Sequence, residues 1–302
     1  MDKWYPSRWG ADDVLGAMNL ITPKSIVAAL SLVKKGKVYD LSHVLHHEIP
    51  VTSFHGAFFA NTQHTLESAA EWHHRVLGKM ENGYSAQNLR INMSDHSGTH
   101  IDQLNHVGIQ QENGEFLVYN GLRNKDIIST FGTTKLGVEN MPPLITRGVF
   151  IDIVGDKGVE MLPAGYAIKP EELDKCLAKQ KVEVREGDTV LVHTGWGKLW
   201  GQAEKMLSGE PGLSKACAKW ALKKNIVCWG VDQFATDPIP YEVEGEALPM
   251  HLEMLTKNGI RLMENIYMEE IAKEKVYEFC IFAAPLKIKG GTGSPLRLLA
   301  LV

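Results

Sequence analysis

Three imidazoles and a carboxylate lie within eleven consecutive residues, and this segment constrains the chain more than any other. They are His96, His100, Asp102 and His106. Imidazole nitrogen and carboxylate oxygen together suit Zn²⁺, Mn²⁺ or Fe²⁺ better than Mg²⁺ or Ca²⁺. The segment therefore predicts a transition-metal site.

The spacing of these residues requires the chain to bend. An extended strand would point all four side chains to one face but spread them over roughly 33 Å, too far for one ion. A continuous helix would stack His96 on His100 and turn Asp102 away from both. Gly98 is a poor residue inside a helix and a favourable one at a bend. We therefore predict a strand over residues 89–93 that leads into a bend at Gly98, so that the first three residues close on one ion.

The segment resembles the HxGTHxDxxxH signature of the cyclase-like metal-dependent hydrolases, the family of bacterial kynurenine formamidase and isatin hydrolase. The resemblance extends from about residue 8 to about residue 270. It implies that His96, His100 and Asp102 bind the metal and that His106 transfers protons. On the residues alone, His106 could also be a fourth ligand. We place His106 on a helix that starts near the bend, one turn beyond Asp102.

A second pair of candidate ligands lies late in the chain. His251 falls in a predicted helix that ends at Asn258 and Gly259, and residues 260–264 form a predicted returning strand. Helix, turn and strand can bring His251 and Glu264 together. In kynurenine formamidases a histidine and a glutamate at similar separation hold a second metal, bridged by the signature aspartate. The resemblance thus implies a second ion here, whereas isatin hydrolase is described as using one, so we expect one or two ions of Zn²⁺ or Mn²⁺.

Strands alternate with helices along the rest of the chain, which indicates a single α/β domain over residues 1–302. Strands are predicted at 37–41, 149–153, 188–193 and 226–231, and helices at 24–35, from 170 and at 214–224. The fold class is a mixed central sheet flanked by helices, and the resemblance implies the swivelling β/β/α arrangement of the family. Residues 1–36 look like the N-terminal extension of its larger members.

Residues 43–80 are rich in histidine and aromatic residues but contain no pair with ligand spacing. We interpret them as a loop that covers the site and supplies aromatic walls. Phe54 or His55 lies about where kynurenine formamidases have a tryptophan that contacts substrate, and this difference argues against formylkynurenine. His193, at a strand end, either lines the pocket or is a hydrogen-bonded core imidazole.

Charge and composition exclude several classes of partner. A net charge of −4 and a pI near 6.3 provide no basic field for nucleic acid or anionic lipid. The chain has no apolar run long enough for a membrane span and no signal-peptide core at its start, so we expect a cytoplasmic protein. Its four cysteines form no CxxC pair. Trp4, Trp9 and Phe58–Phe59 offer apolar surface, and the resemblance implies that the protein assembles as the members of the family do. We therefore expect a homodimer or homotetramer.

These features predict a metal-dependent hydrolase that opens a C–N or C–O bond in a cyclic amide, imide, lactone or aryl formamide. A bound ion polarises the carbonyl and lowers the pKa of its water, and His106 carries the proton. No Gly-x-Ser-x-Gly elbow is present, which argues against a serine hydrolase. A metal-dependent lyase or isomerase that stabilises an enolate is the alternative. A non-enzymatic binding protein would leave His106 and the covering loop without a purpose.

Overall fold

The computed structural model describes residues 3–302. Its strands, in chain order, are β1 (Val38–Asp40), β2 (Phe59–His64), β3 (Asn88–Asn92), β4 (His100–Asp102), β5 (Ile109–Gln110), β6 (Phe116–Leu117), β7 (Ile128–Ser129), β8 (Gly132–Thr133), β9 (Leu144–Asp152), β10 (Ala167–Ile168), β11 (Thr189–His193), β12 (Gly212–Leu213), β13 (Cys228–Val231), β14 (Arg261–Glu264), β15 (Glu278–Ala283), β16 (Gly293–Pro295) and β17 (Leu299–Leu301). Its helices are α1 (Pro23–Leu30), α2 (Leu66–Leu77), α3 (Asn124–Ile127), α4 (Ile153–Lys157), α5 (Pro170–Gln180), α6 (Ala203–Met206), α7 (Cys217–Lys224), α8 (Pro249–His251) and α9 (Glu269–Lys273), and α8 continues as a π-helix over Leu252–Asn258.

The fold is built on a mixed sheet of nine strands in the order β1-β17-β15-β9-β11-β13-β14-β4-β16, so the first strand of the chain pairs with the last. The four adjacent strands β9, β11, β13 and β14 are parallel to one another. The strands on either side of them pair antiparallel. The predicted α/β class with a mixed central sheet is confirmed.

Both faces of this sheet are buried, which explains why its central strands are rich in apolar residues. Along β9, Val149 and Ile151 belong to one core cluster and Phe150 belongs to the other, because side chains alternate between the faces of a strand. Helices α5 and α7 pack on the first face, while Met18 and α9 cover the second. Parallel strands covered on both sides are typical of α/β proteins.

The predicted central strands and the helix at residue 170 are confirmed, with boundaries shifted by a few residues. The first helix is shorter than predicted, because it ends at Leu30 rather than at residue 35. Its start is set by a capping box, in which Ser25 N donates to Thr22 Oγ1 at 3.1 Å and Thr22 N donates to Ser25 Oγ at 2.8 Å. Strands β15 to β17 were not predicted.

Residues 59–92, called the arm below, form a unit outside the central sheet. Strands β2 and β3 pair only with each other as a two-stranded antiparallel ribbon, and α2 lies between them in the chain. Strand β3 matches the strand predicted at 89–93. The prediction of a loop over residues 43–80 is wrong for residues 59–80, because most of these form β2 and α2.

None of the helices in the described part of the chain has the length and apolar character needed to cross a bilayer.

Candidate metal centre

The predicted bend is confirmed at Gly98, and it places the signature residues on a strand. Gly98 has φ of 68°, a left-handed value that favours glycine, and a Cβ there would lie 2.4 Å from Leu45 Cδ2. The chain then enters β4, where His100 pairs directly opposite Glu264 of β14. Residues opposite one another in an antiparallel pair share a face, so the imidazole and the carboxylate meet.

Asp102 lies at the centre of the site. Its side chain is 1% exposed. Its Oδ1 lies 2.8 Å from His96 Nδ1 and 3.4 Å from His100 Nε2, and its Oδ2 lies 3.5 Å from His251 Nε2. Oδ2 is buried and has no hydrogen-bond partner among the described residues. One carboxylate therefore faces three imidazoles while one of its oxygens is unsatisfied.

The second pair also comes together. His251 Nε2 lies 3.3 Å from Glu264 Oε1, and both side chains are buried. The segment between them ends as predicted, with Gly259 in the left-handed conformation at φ of 65°. The predicted approach of His251 to Glu264 is confirmed, whereas their role as ligands stays a prediction.

The orientation of the imidazoles fits a cation among these carboxylates. His100 Nδ1 donates to the carbonyl of Gly98 at 2.9 Å, so the other ring nitrogen, Nε2, faces Asp102 at 3.4 Å and Glu264 at 3.6 Å. These separations exceed the 2.7–2.9 Å of charge-assisted hydrogen bonds. His251 is held in the same way through Nδ1, which lies 2.7 Å from Asp237 Oδ2. Imidazoles fixed through one nitrogen, with the other directed at carboxylates, are the usual arrangement around a protein metal ion.

The electrostatics of the site agree with this fit. Burial lowers the pKa of His251, but the facing carboxylates of Glu264, Asp102 and Asp237 outweigh it and hold that pKa well above its usual value. The pKa of Asp102 lies well below its usual value, because the neighbouring imidazoles outweigh the effect of burial. Within the described chain, no lysine or arginine nitrogen lies within 4.0 Å of Asp102 or Glu264. The basic groups of the described chain within that distance are therefore the imidazoles of His96, His100 and His251.

Candidate ligand atoms cluster in two groups that share Asp102. One group contains His96, Asp102 and His106, and the other contains His100, Asp102 and Glu264. Within each group the atoms lie within 4.8 Å of one another. The residues present can therefore hold Zn²⁺ or Mn²⁺, in one or two positions that meet at the same carboxylate.

His106 is not on a helix, and this prediction is wrong. It lies in a turn directly after β4, closed by a hydrogen bond from His106 N to Gln103 O at 3.0 Å, and Gln103 N donates to Thr292 O beside β16 at 2.8 Å. The His106 ring stacks on His96 with centroids 3.9 Å apart. Burial lowers the pKa of His106 to about 3, against an opposing attraction from Asp102. Its position fits a ligand and a proton carrier equally.

The predicted substrate residues lie in different surroundings. The His55 ring lies 5.1 Å from that of His96 and 6.3 Å from that of His106, so it borders the metal centre. Phe54 is 87% exposed. His193 is buried, with Nδ1 2.9 Å from Asp152 Oδ1 and Nε2 3.1 Å from Glu269 Oε1. Both of its nitrogens are thus engaged by carboxylates, as in the core interpretation, and substrate contact by these residues stays a prediction.

Several residues that support the candidate ligands were missed. Thr292 Oγ1 lies 2.9 Å from His96 Nε2 and donates to Asp95 Oδ2 at 3.0 Å. Thr236 Oγ1 donates to Glu264 Oε1 at 3.0 Å, and Asp237 holds His251. The position of Asp95 beside His96 was a possible signal. The other three are remote in sequence from the residues they support and have no local signature.

Comparison with known proteins agrees with this site. The Cyclase family model, described as "Putative cyclase", matches residues 39–238. The isatin hydrolase of Roseibium aggregatum is 25% identical over 272 residues, which cover 88% of this chain and 92% of that protein. A crystal structure described as a novel cyclase is 30% identical with a TM-score of 0.85, covering 98% of both chains. Isatin hydrolase A from Ralstonia solanacearum, at 22% identity, shares the fold with a TM-score of 0.65 over 93% of this chain and 97% of its own.

The match covers more than half of the chain and includes the bend, β4 and three of the four parallel strands, β9, β11 and β13. The chain belongs to the cyclase family.

Proposed function

We propose that this protein is a metal-dependent hydrolase that opens a cyclic amide, imide, lactone or aryl formamide. The observation that carries the proposal is the convergence of His100 and His251, each with Nε2 towards the buried carboxylates of Asp102 and Glu264. His96 lies on the remaining side of Asp102. This set of nitrogen and oxygen donors suits Zn²⁺ or Mn²⁺.

When bound, such an ion supplies a Lewis acid for the substrate carbonyl and a water of lowered pKa. The chain supplies the proton carrier. We assign this role to the His106 imidazole, which can accept a proton and later donate it to the leaving nitrogen or oxygen. Its ring stacks on His96, which keeps it beside the candidate ligands.

The substrate class is supported by the relative that is named isatin hydrolase and that aligns with most of this chain. On the rim of the site, His55 is a candidate contact for a planar substrate, because its ring lies beside His96 and His106. Phe54, which directly precedes His55, has an exposed ring and is a second candidate contact for such a substrate. His193 is a more remote candidate.

A screen tests the proposal directly. Mn²⁺-loaded and Zn²⁺-loaded protein is incubated with cyclic imides, lactones and aryl formamides, and the release of a carboxylic acid is followed by titration at constant pH. We expect acid release that the His100→Ala protein does not catalyse. Turnover without acid release would instead identify a lyase or isomerase, and turnover by metal-free protein would refute the metal requirement.

We also propose that the protein is a homo-oligomer that assembles through the arm. Eight of its large apolar side chains are about half exposed, whereas Ala69 is its only buried apolar residue in the described chain. The eight are Phe59, Leu66, Trp72, Val76, Leu77, Tyr84, Leu89 and Ile91. A two-stranded ribbon has little stability of its own in water. The arm therefore needs a partner surface.

A second copy of the chain fits the arm best. The arm has three acidic and three basic residues, so two copies would not repel one another, and it lacks the excess of lysine and arginine that a membrane surface attracts. Its 34 residues are enough to supply the 20–30 residues that each partner contributes to a standard interface. The other predicted surface is wrong in part, because Phe58 is buried and Trp9 packs on the core.

We place the enzyme in the cytoplasm. All four cysteines are free and buried, as is common in a reducing compartment.

A further inference from the structure

Glu210 is not among the candidate metal ligands, yet its carboxylate is one of the most deeply buried ionisable groups of the chain. Its side chain is 0% exposed. Among the described residues, no basic nitrogen lies within 4.0 Å of it, and its partners are backbone N–H groups. A buried carboxyl group is costly unless hydrogen bonds compensate for the lost hydration, and two backbone N–H groups supply them here.

The carboxylate of Glu210 fastens one loop, residues 232–239. Its Oε2 accepts a hydrogen bond from Phe234 N and its Oε1 accepts one from Ala235 N, both at 2.9 Å. The backbone of Glu210 adds a reciprocal pair with Ile239, with both N···O distances at 2.8 Å. The loop is therefore held at two points by one residue.

The next two residues of this loop hold the second pair of candidate ligands. Thr236 Oγ1 donates to Glu264 Oε1 at 3.0 Å. Asp237 Oδ2 lies 2.7 Å from His251 Nδ1, and Asp237 Oδ1 accepts from Met250 N at 2.6 Å. The path from Glu210 to each ligand thus runs through two hydrogen bonds and one or two residues of backbone.

The fit between the two segments is tight. A Cβ on Gly212 would lie 2.3 Å from Asp237 C and from Pro238 N, so the loop has no room to shift towards the segment that carries Glu210. Burial raises the pKa of Glu210 well above its usual value, and the nearby carboxylates of Glu264 and Asp237 act in the same direction. The Glu210 side chain itself bonds to Phe234 N and Ala235 N and to no candidate ligand among the described residues.

We propose that Glu210 is a positioning residue for the metal centre, which fixes residues 234–237 so that Thr236 and Asp237 orient Glu264 and His251 towards a bound cation. The inference rests on the metal site of the proposed function. Residues that orient ligands commonly change metal affinity 10- to 100-fold when they are replaced. Because Glu210 acts through a loop, we expect the lower end of that range.

The test measures Mn²⁺ affinity by competition with a chelator for wild type, Glu210→Ala and Glu210→Gln. We expect the dissociation constant to rise on the order of tenfold in Glu210→Ala. Glu210→Gln should fall between it and wild type, because its amide oxygen can still accept one of the two N–H groups. Visible absorption of the Co²⁺-substituted proteins should change in the same order, since it reports the ligand geometry. If Glu210→Ala does not fold, Glu210→Gln alone carries the comparison.

Two controls separate this role from general stability and from the metal site itself. Asp188 is another buried carboxylate that accepts a backbone hydrogen bond, from Arg185 N at 2.7 Å, so Asp188→Asn should lower the melting temperature without changing Mn²⁺ affinity. In His251→Ala a candidate ligand itself is removed. Weakened binding in His251→Ala with unchanged binding in both Glu210 variants would refute the role of Glu210 alone. Unchanged binding in His251→Ala would overturn the ligand assignment and the role of Glu210 with it.

Discussion

The metal centre and the arm are built from similar residue types but obtain their order in opposite ways. Both contain several histidines, yet those at positions 96, 100 and 251 are buried and fixed by hydrogen bonds, whereas His64 and His74 of the arm are exposed. Three residues of the metal centre, His100, Asp102 and Glu264, lie on strands of the nine-stranded sheet. The arm consists of one ribbon and one helix with almost no core of its own.

This difference separates chemistry from recognition. Buried imidazoles that face carboxylates have restricted orientations, which metal binding and proton transfer require. The arm has an apolar surface and balanced charge, which suits contact with another protein chain. The following predictions test this division, beginning with the largest expected effect.

The first prediction removes a ligand from the buried region. We expect His100→Ala to lose most of its metal and all measurable turnover, because His100 Nε2 faces both Asp102 and Glu264. Metal content by mass spectrometry checks this after dialysis. His74→Ala, an exposed change on the arm, serves as the control and should keep its metal. A folded His100→Ala protein with full metal content would refute the assignment of His100 as a ligand.

The second prediction asks whether His106 is a ligand or a proton carrier. As a proton carrier, His106→Ala should keep its metal and lose roughly 10² to 10⁴ in turnover, the usual scale for a positioned acid or base. The acidic limb of the pH profile should change as well. Metal content and turnover are measured on the same preparation. Loss of metal in proportion to activity would show that His106 is a ligand.

The third prediction concerns the arm. Leu89 and Ile91 lie on one face of β3 and are each more than half exposed. We expect wild type to have a mass that is a multiple of 33.6 kDa at micromolar concentration, and Leu89→Glu with Ile91→Glu to reduce it to 33.6 kDa. Light scattering measures both. Phe131→Glu changes an exposed aromatic residue outside the arm and should leave the mass unchanged.

A monomeric wild type would refute assembly altogether. If wild type and the double variant are both oligomeric, the interface does not include this face of the ribbon.

The fourth and smallest effect compares a buried histidine of the central sheet with an exposed histidine of the arm. Hydrogen bonds from His193 to Asp152 and Glu269 outweigh its burial and raise its pKa to about 10. The folded-state pKa exceeds the ordinary value of about 6.5, so the resulting stability is complete below pH 6.5 and is lost as the pH rises to about 10. We expect this decline in the melting temperature, on the order of a few degrees, to be weaker in His193→Gln. His74→Gln should retain it, and equal slopes in all three proteins would contradict the prediction.

The local features of the metal site could be predicted from the sequence because they depend on neighbouring residues. The bend follows from Gly98, whose left-handed φ is accessible to few other residues. The end of the helix segment after His251 follows from Gly259 for the same reason. The buried parallel strands follow from apolar runs such as residues 149–151, and the first helix follows from its Thr22 cap.

Tertiary structure alone decided the rest. The chain continues from Asp102 into a turn in which Gln103 N pairs with Thr292 O, almost two hundred residues away, and this contact leaves no local pattern. Thr236 and Asp237 could not be predicted either, because their partners lie in other elements and no local pattern marks the contact. The sequence predicts a loop where the structure has β2 and α2, because β2 is short, mostly exposed and paired only with β3. Local residues therefore determined where the ligands are, and long-range pairing determined how they are held.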